Sequence, residues 1–182
     1  MNDLLDKIIA DFNYPAYYFP TAYTIALEAH ENDRRKNGMP YIDHVNHVIV
    51  NTWEIIQNDR FLRGSMTSMD EILSIAALHD VYEDHRDTWA LNIIRGRLTS
   101  DPVTKHSSVA NIITGVDAIS KKVKGTEDYT DYVKRVMFHN WALIVKLGDL
   151  QHNMSDLSAG SLRDKYSLTK YMLEQKYYGI GF

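Results

Sequence analysis

Residues 72–84 read ILSIAALHDVYED. The first seven are apolar or small on every face, so a helix built from them has no polar side to show to solvent and belongs in the interior. The stretch then changes character, with His79, Asp80, Glu83 and Asp84 following in quick succession. His79 and Glu83 are four apart, as are Asp80 and Asp84, so each pair shares one face of the last helical turns. Carboxylates crowded at a buried helix end repel one another, and a helix C-terminus disfavours negative charge. Desolvating them without a partner costs roughly several kcal/mol each. Positive charge is therefore expected here, and a divalent cation is its most economical source. The competing reading of this segment alone is a solvated acidic helix end running into His85-Arg86-Asp87.

Two further segments bear on that choice. Residues 141–157 read WALIVKLGDLQHNMSDL, an apolar run that leads into a lone acid, Asp149, with His152 and Asn153 one turn later. An aspartate so placed needs a partner, either a cation or a basic neighbour such as Lys146. Residues 30–45 read HENDRRKNGMPYIDHV. Arg34, Arg35 and Lys36 precede a Gly-Met-Pro turn, and His44 falls in the first turn of the next helix, where an ordinary capping or core histidine would also fit.

Outward from these segments, apolar residues recur mainly at three- and four-residue spacings, which predicts helices. They are expected over Thr21–Lys36, stopped by Asn37-Gly38 with Pro40 beyond, and over Ile42–Gln57. A loop is expected over Asn58–Ser68, with Ser68 capping a helix that carries Glu71 at capping-box spacing and runs to about Asp84. Further helices are expected near Thr88–Leu98, Ser107–Ser120, Thr126–His139, Trp141–Asp156 and Ser161–Lys176. Strand-like alternation is weak, so the expected fold class is all-α, a single helical bundle.

Composition narrows the chemistry. The 182 residues hold 24 acidic and 20 basic side chains, a formal charge of −4 that points to neither a nucleic-acid nor a membrane partner. Cysteine is absent, which excludes a disulfide scaffold, a thiolate metal site and a cysteine nucleophile, while histidine occurs eight times. Any transition metal must be held by nitrogen and oxygen. The N-terminal MNDLLDKIIADF is acidic and amphipathic, unlike a secretory signal, and no apolar run approaches the ~20 residues of a membrane span. A cytoplasmic protein is expected.

In order along the chain stand R-K-x-G-x-P-Y-I-x-H, A-L-H-D-V-x-E-D and K-L-x-D-L-x-H-N-M. This resembles the HD-superfamily metal-dependent phosphohydrolases, and more narrowly the hydrolase domain of RelA/SpoT-type enzymes and the small stand-alone alarmone hydrolases. The likeness runs from about Ala29 to Leu157 and takes in GVDAIS at 115–120 and DYTDYVKRV at 128–136. It implies one HD-type domain over residues 1–182. It implies a divalent metal, typically Mn²⁺, on His44, His79, Asp80 and Asp149, a borderline-hard N/O set suited to that ion. Glu83 and Asp84 match the acidic pair that positions or deprotonates the attacking water. Arg35 matches a substrate-contacting arginine, with Lys36 and Asn153 at nearby binding positions. The implied substrate is a small nucleotide, first (p)ppGpp, cleaved to GDP or GTP and pyrophosphate. Alternatives are another nucleotide, such as NADPH through its 2′-phosphate or a deoxynucleotide, and a non-catalytic nucleotide-binding HD protein. The chain departs from the family pattern at His85, where Thr is common, at Leu150, where Arg is common, at Asp156, where a nucleotide-binding Thr is found, and at the bulky Tyr82. These changes leave the ligand set intact and the substrate open.

The remaining histidines read as supporting residues. His30 suits a helix-surface or supporting role, and His152 a packing role beside the ligands. His47 could face the metal but fits better as a non-ligand, and His106 and His139 have no expected catalytic part. Lys121, Lys122 and Lys124 read as a solvated loop rather than a polyanion guide. Tyr166, Tyr171, Tyr177 and Tyr178, with Leu168, Met172 and Leu173, suit core packing or a homo-oligomer contact.

Overall fold

The computed structural model describes residues 2–12, 17–100, 106–123, 125–155 and 157–179, together with the backbone but not the side chains of Asn2 and His106. Lys124, Asp156, the last three residues and the His106 side chain therefore lie outside the described residues. The helices in chain order are α1 (Asn2–Asp11), α2 (Phe19–Ala29), α3 (Tyr41–Asn58), α4 (Met66–Leu78), α5 (Val81–Asp84), α6 (Leu91–Leu98), α7 (His106–Ile119), α8 (Tyr129–Met137), α9 (Asn140–Ser155) and α10 (Ser161–Tyr177). Arg34 and Pro40 form an isolated antiparallel bridge. The all-α expectation holds.

Helix α4 is the axis of the bundle. Met69 to His79 are all buried, as the apolar run predicts, and the helix packs against α2, α3, α7 and α9. Its two buried acids are fully engaged. Asp70 accepts from the backbone N–H groups of Tyr18 and Phe19 at 2.9–3.1 Å, satisfying donors that the start of α2 leaves without intrahelical partners. Burial nevertheless pushes its carboxyl up to about 6. Glu71 accepts from Trp141 Nε1 at 2.9 Å and Asn111 Nδ2 at 3.1 Å, tying α4 to α9 and α7.

Three boundary differences from expectation bear on the site. Helix α2 stops at Ala29, seven residues before Lys36. Residues 31–36, ENDRRK, carry no apolar side chain to bury, and Asn and Asp favour local turn bonds over helix. The chain instead makes a tight turn: Arg35 N–H bonds Met39 O at 2.9 Å and Gly38 N–H bonds Arg35 O at 2.8 Å. Gly38 sits at φ +84°, the left-handed region open to glycine, so Asn37-Gly38 marks this turn and not a helix end. The cap of α4 is Ser65, whose Oγ accepts from Ser68 N–H, so the helix starts one turn earlier than a Ser68 cap would allow. Helix α4 also ends at Leu78, where His79 and Asp80 form a turn before α5.

Helices α3 and α9 pack unusually closely at Gly148. A Cβ there would lie 2.7 Å from Thr52 Oγ1 and 3.1 Å from the Thr52 backbone nitrogen. Asn51 Nδ2 bonds Gly148 O at 3.0 Å across the same contact. This approach brings the start of α3, with His44, towards Asp149 and His152 on α9. A Gly148→Ala substitution must push the helices apart. It is expected to cost about 1–3 kcal/mol in urea denaturation and to weaken divalent-cation binding in the same protein; unchanged stability would show that the contact is loose.

Candidate metal centre

Four side chains from three elements meet in the interior: His44 from the first turns of α3, His79 and Asp80 from the break between α4 and α5, and Asp149 from α9. His44 Nε2 lies 3.2 Å from His79 Nε2 and 3.4 Å from both Asp80 Oδ2 and Asp149 Oδ1. His79 Nε2 lies 3.0 Å from Asp80 Oδ2. His44, His79 and Asp149 are buried, and donor atoms of these three lie mutually within 4.8 Å. Asp80 joins them through its contacts with both imidazoles.

These separations suit a metal. Bonds of about 2.1 Å set ligand–ligand edges of about 3.0 Å in an octahedron and about 3.4 Å in a tetrahedron. The outer ring nitrogens fit as well. His79 Nδ1 lies 2.8 Å from Ala76 O, to which it can only donate, so in the neutral ring Nε2 turns a lone pair inward. His44 Nδ1 lies 2.7 Å from His152 Nδ1, and Arg35 Nη1 lies 3.1 Å from that same His152 nitrogen. With Arg35 as donor, His152 Nδ1 is an acceptor, His44 donates to it, and His44 Nε2 also faces the centre with a lone pair.

The carboxylates are held from outside. Asp149 accepts from Lys146 Nζ at 2.6 Å and Asn153 Nδ2 at 2.5 Å. Burial opposes its charge, but Lys146 and the two histidines hold its carboxyl well below the usual range. The basic-neighbour reading of Asp149 is realised in Lys146, and His44 lies on the other carboxylate oxygen. Asp80 accepts from Tyr41 Oη at 2.6 Å. Despite burial, His79 and His44 keep Asp80 ionised, and Asp80 and Asp149 push the buried His79 up to about 9. Burial, Asp80 and the hydrogen bond raise the Tyr41 phenol, which stays a donor.

Among the other expected site residues, Asp84 is exposed beside the centre. Desolvation first, then Asp80 and Glu83, push its carboxyl up to about 6. Glu83 points to a different partner: it accepts from Lys121 N–H at 2.7 Å and Lys121 Nζ at 2.8 Å. Lys121 and Glu83 line a cavity of about 520 Å³ with Arg86, Lys122, Tyr129 and Tyr132. Arg35 is joined to Asn153 Oδ1 at 3.3 Å as well as to His152, whereas Lys36 is exposed. His47 bonds Asp43 O at 2.6 Å and stacks on His152 at 4.3 Å between centroids. His139 lies away from the centre, 3.2 Å from Thr114 Oγ1.

Tyr41 and Lys121 escaped the sequence reading. Tyr41 stands inside the P-Y-I-x-H run, which marks it as part of the motif but assigns it no partner. Lys121 sits in a basic connector whose partner, Glu83, is 38 residues away.

No protein-family profile matches the chain. Its sequence is 30% identical over 149 residues to the bifunctional (p)ppGpp synthase/hydrolase SpoT of Escherichia coli, covering 78% of this chain and 18% of that protein. Proteins named guanosine-3′,5′-bis(diphosphate) 3′-pyrophosphohydrolase from Vibrio cholerae and Aquifex aeolicus are each 28% identical, over 161 and 157 residues, covering 84% of this chain and 20% of theirs. The chain thus spans about a fifth of the length of these curated relatives. With 84% of the chain matched, about 29 residues fall outside the match, fewer than precede His44 or follow Asp149. The matched segment therefore contains all four converging residues, and the chain is related over most of its length to the hydrolases of RelA/SpoT type.

Proposed function

We propose that this chain forms an HD-type domain that removes pyrophosphate from the 3′ position of (p)ppGpp with a divalent cation, Mn²⁺ matching its N/O donor set. One observation carries the reading: the stretch that aligns with proteins named 3′-pyrophosphohydrolases is the stretch that folds His44, His79, Asp80 and Asp149 onto one point.

A divalent cation held by these four side chains supplies Lewis acidity, drawing charge from a phosphate oxygen and acidifying water. The chain's own groups do the rest. Asp84, with its carboxyl near 6, accepts the proton of the attacking water at neutral pH. Glu83 stays fixed by Lys121 and keeps the α5 turn, and so Asp84, in place. Tyr41 holds Asp80 in its ligating position. Arg35, anchored on His152 and Asn153, brings guanidinium charge to the wall that meets the phosphates. The water oxygen bonds to the phosphorus next to the nucleotide 3′-oxygen, and the bond from that phosphorus to the 3′-oxygen breaks. Pyrophosphate departs, and the 3′-oxygen takes a proton.

With Mn²⁺, the protein is expected to release pyrophosphate from ppGpp, Asp80→Ala to abolish turnover, and Asp84→Asn to lower kcat about 10²–10⁴-fold while cation binding persists. Turnover of NADPH or a deoxynucleotide without turnover of ppGpp would overturn the substrate. Tight nucleotide binding with no turnover in any divalent metal would overturn the enzyme.

The protonation of His79 provides a second test. Its pKa rises from 6.5 to about 9 on folding without metal, so its contribution to stability is complete below about 6.5 and lost as pH climbs through about 9. Urea denaturation of metal-free protein should show this decline, and saturating Mn²⁺ should remove it. Calorimetry of Mn²⁺ binding near pH 7 in buffers of different ionisation enthalpy should report about one proton released. A metal-free stability that rises from pH 6.5 to 9 would contradict the assignment.

A further inference from the structure

We propose that His30, Asp33 and His85 form a second divalent-cation site, separate from the His44–His79–Asp80–Asp149 centre and divided from it by Tyr41, and that it takes a borderline transition cation such as Zn²⁺ or Co²⁺.

Three stretches of backbone converge to make it. His30 follows α2, Asp33 lies in the turn before α3, and His85 closes α5. Asp33 Oδ2 lies 2.8 Å from His30 Nδ1 and 2.8 Å from His85 Nε2, and the two ring nitrogens are 3.4 Å apart. The nitrogen–nitrogen separation already equals the edge of a tetrahedron with bonds of about 2.1 Å. The two shorter separations need to open by roughly half an ångström to reach that edge. The side chains that must move are the ones able to, since Asp33 is 35% and His85 25% exposed, while His30 is fully buried. The His30 ring is stacked on Tyr41 at 4.7 Å, which fixes the buried ligand.

The proton inventory is compatible with a cation. His30 Nε2 is buried without a hydrogen-bond partner. Without metal, Nδ1–H of the neutral ring donates to Asp33; with the proton on Nε2 instead, Nδ1 offers its lone pair to a cation held between Asp33 and His85. Two imidazoles and one carboxylate are a borderline donor set, and three protein ligands leave a position on the exposed side for water or another oxygen donor. The third ligand is His85, which stands where the resembling family commonly has Thr. That departure in the sequence thus acquires a chemical role.

Tyr41 links the two sites physically, since its ring lies on His30 and its hydroxyl donates to Asp80. The proposal does not depend on the substrate of the first centre. Its test is metal content by elemental mass spectrometry after stripping with a chelator and dialysis against Zn²⁺. The wild type is expected to hold two equivalents, His85→Thr one, Asp149→Ala one, and the double variant none, with circular dichroism confirming helical content throughout. Co²⁺ added to Asp149→Ala should give visible absorption that His85→Thr removes. Metal content unchanged by His85→Thr would reduce the trio to a hydrogen-bonded cluster in which Asp33 accepts from both histidines, whereas a wild type holding one equivalent that His85→Thr removes would keep this site and overturn the first centre. Should Asp149→Ala fail to fold, the comparison of wild type with the partly exposed His85→Thr decides the matter alone.

Discussion

Asp80 and Asp149 carry negative charge into an apolar helix bundle, and the surroundings of the centre are organised around meeting it. An uncompensated buried carboxylate is too costly to persist. Lys146 neutralises Asp149, and Asn153 and Tyr41 supply further donors to the pair. One negative charge is left over when both imidazoles are neutral. A proton on His79 cancels it in the metal-free chain, and a divalent cation more than offsets it when that proton is released. The raised His79 pKa and the suitability of the site for metal are thus two expressions of the same excess charge.

Meeting that charge demands positional accuracy, which comes from backbone features with no chemistry of their own. Gly148 lets α9 approach α3 at the Thr52 backbone, so His44 and Asp149 can share a point. The interruption after Leu78 lets His79 and Asp80 both reach the centre although they are adjacent in the chain. The outer hydrogen bonds then set the rings, His79 on a carbonyl and His44 on His152, so that each Nε2 faces inward. Buried partners of this kind act as a unit, and their energies are not additive over single residues.

Most of this architecture was legible in the sequence where local pattern decides the outcome. The apolar faces of residues 72–78 and 141–145 announce buried helices, and the acids that follow them announce the centre. What escaped reading depends on long-range pairing. Residues 31–36 read as a continuation of α2, yet they lack an apolar face to bury, and the turn they form is joined to His85, 52 residues on, through Asp33. Glu83 has the spacing of a residue sharing a face with His79, yet its carboxylate is held by Lys121 across 38 residues of chain. His30 reads as a helix-surface histidine, since nothing local reveals that its ring is buried against Tyr41. In each case a side chain has a partner that spacing cannot show.

The same partners bear on how a phosphate-rich molecule could approach a chain of formal charge −4. The basic residues nearest the centre are engaged: Lys146 with Asp149, Lys121 with Glu83, and Arg35 with His152 and Asn153. Each such pairing holds its cation in place and also reduces the charge it presents outward. Arg34 and Lys36 remain exposed on the 30–40 turn, where solvent and salt screen them. In contrast, a divalent ion in the centre acts where water is largely excluded and screening is weak. With a cation in place, attraction for a polyanion would therefore depend more on the occupied centre than on the net charge. On the proposed function, the paired basic residues would act mainly as positioned walls, and a cation held by the buried carboxylates would do the attracting.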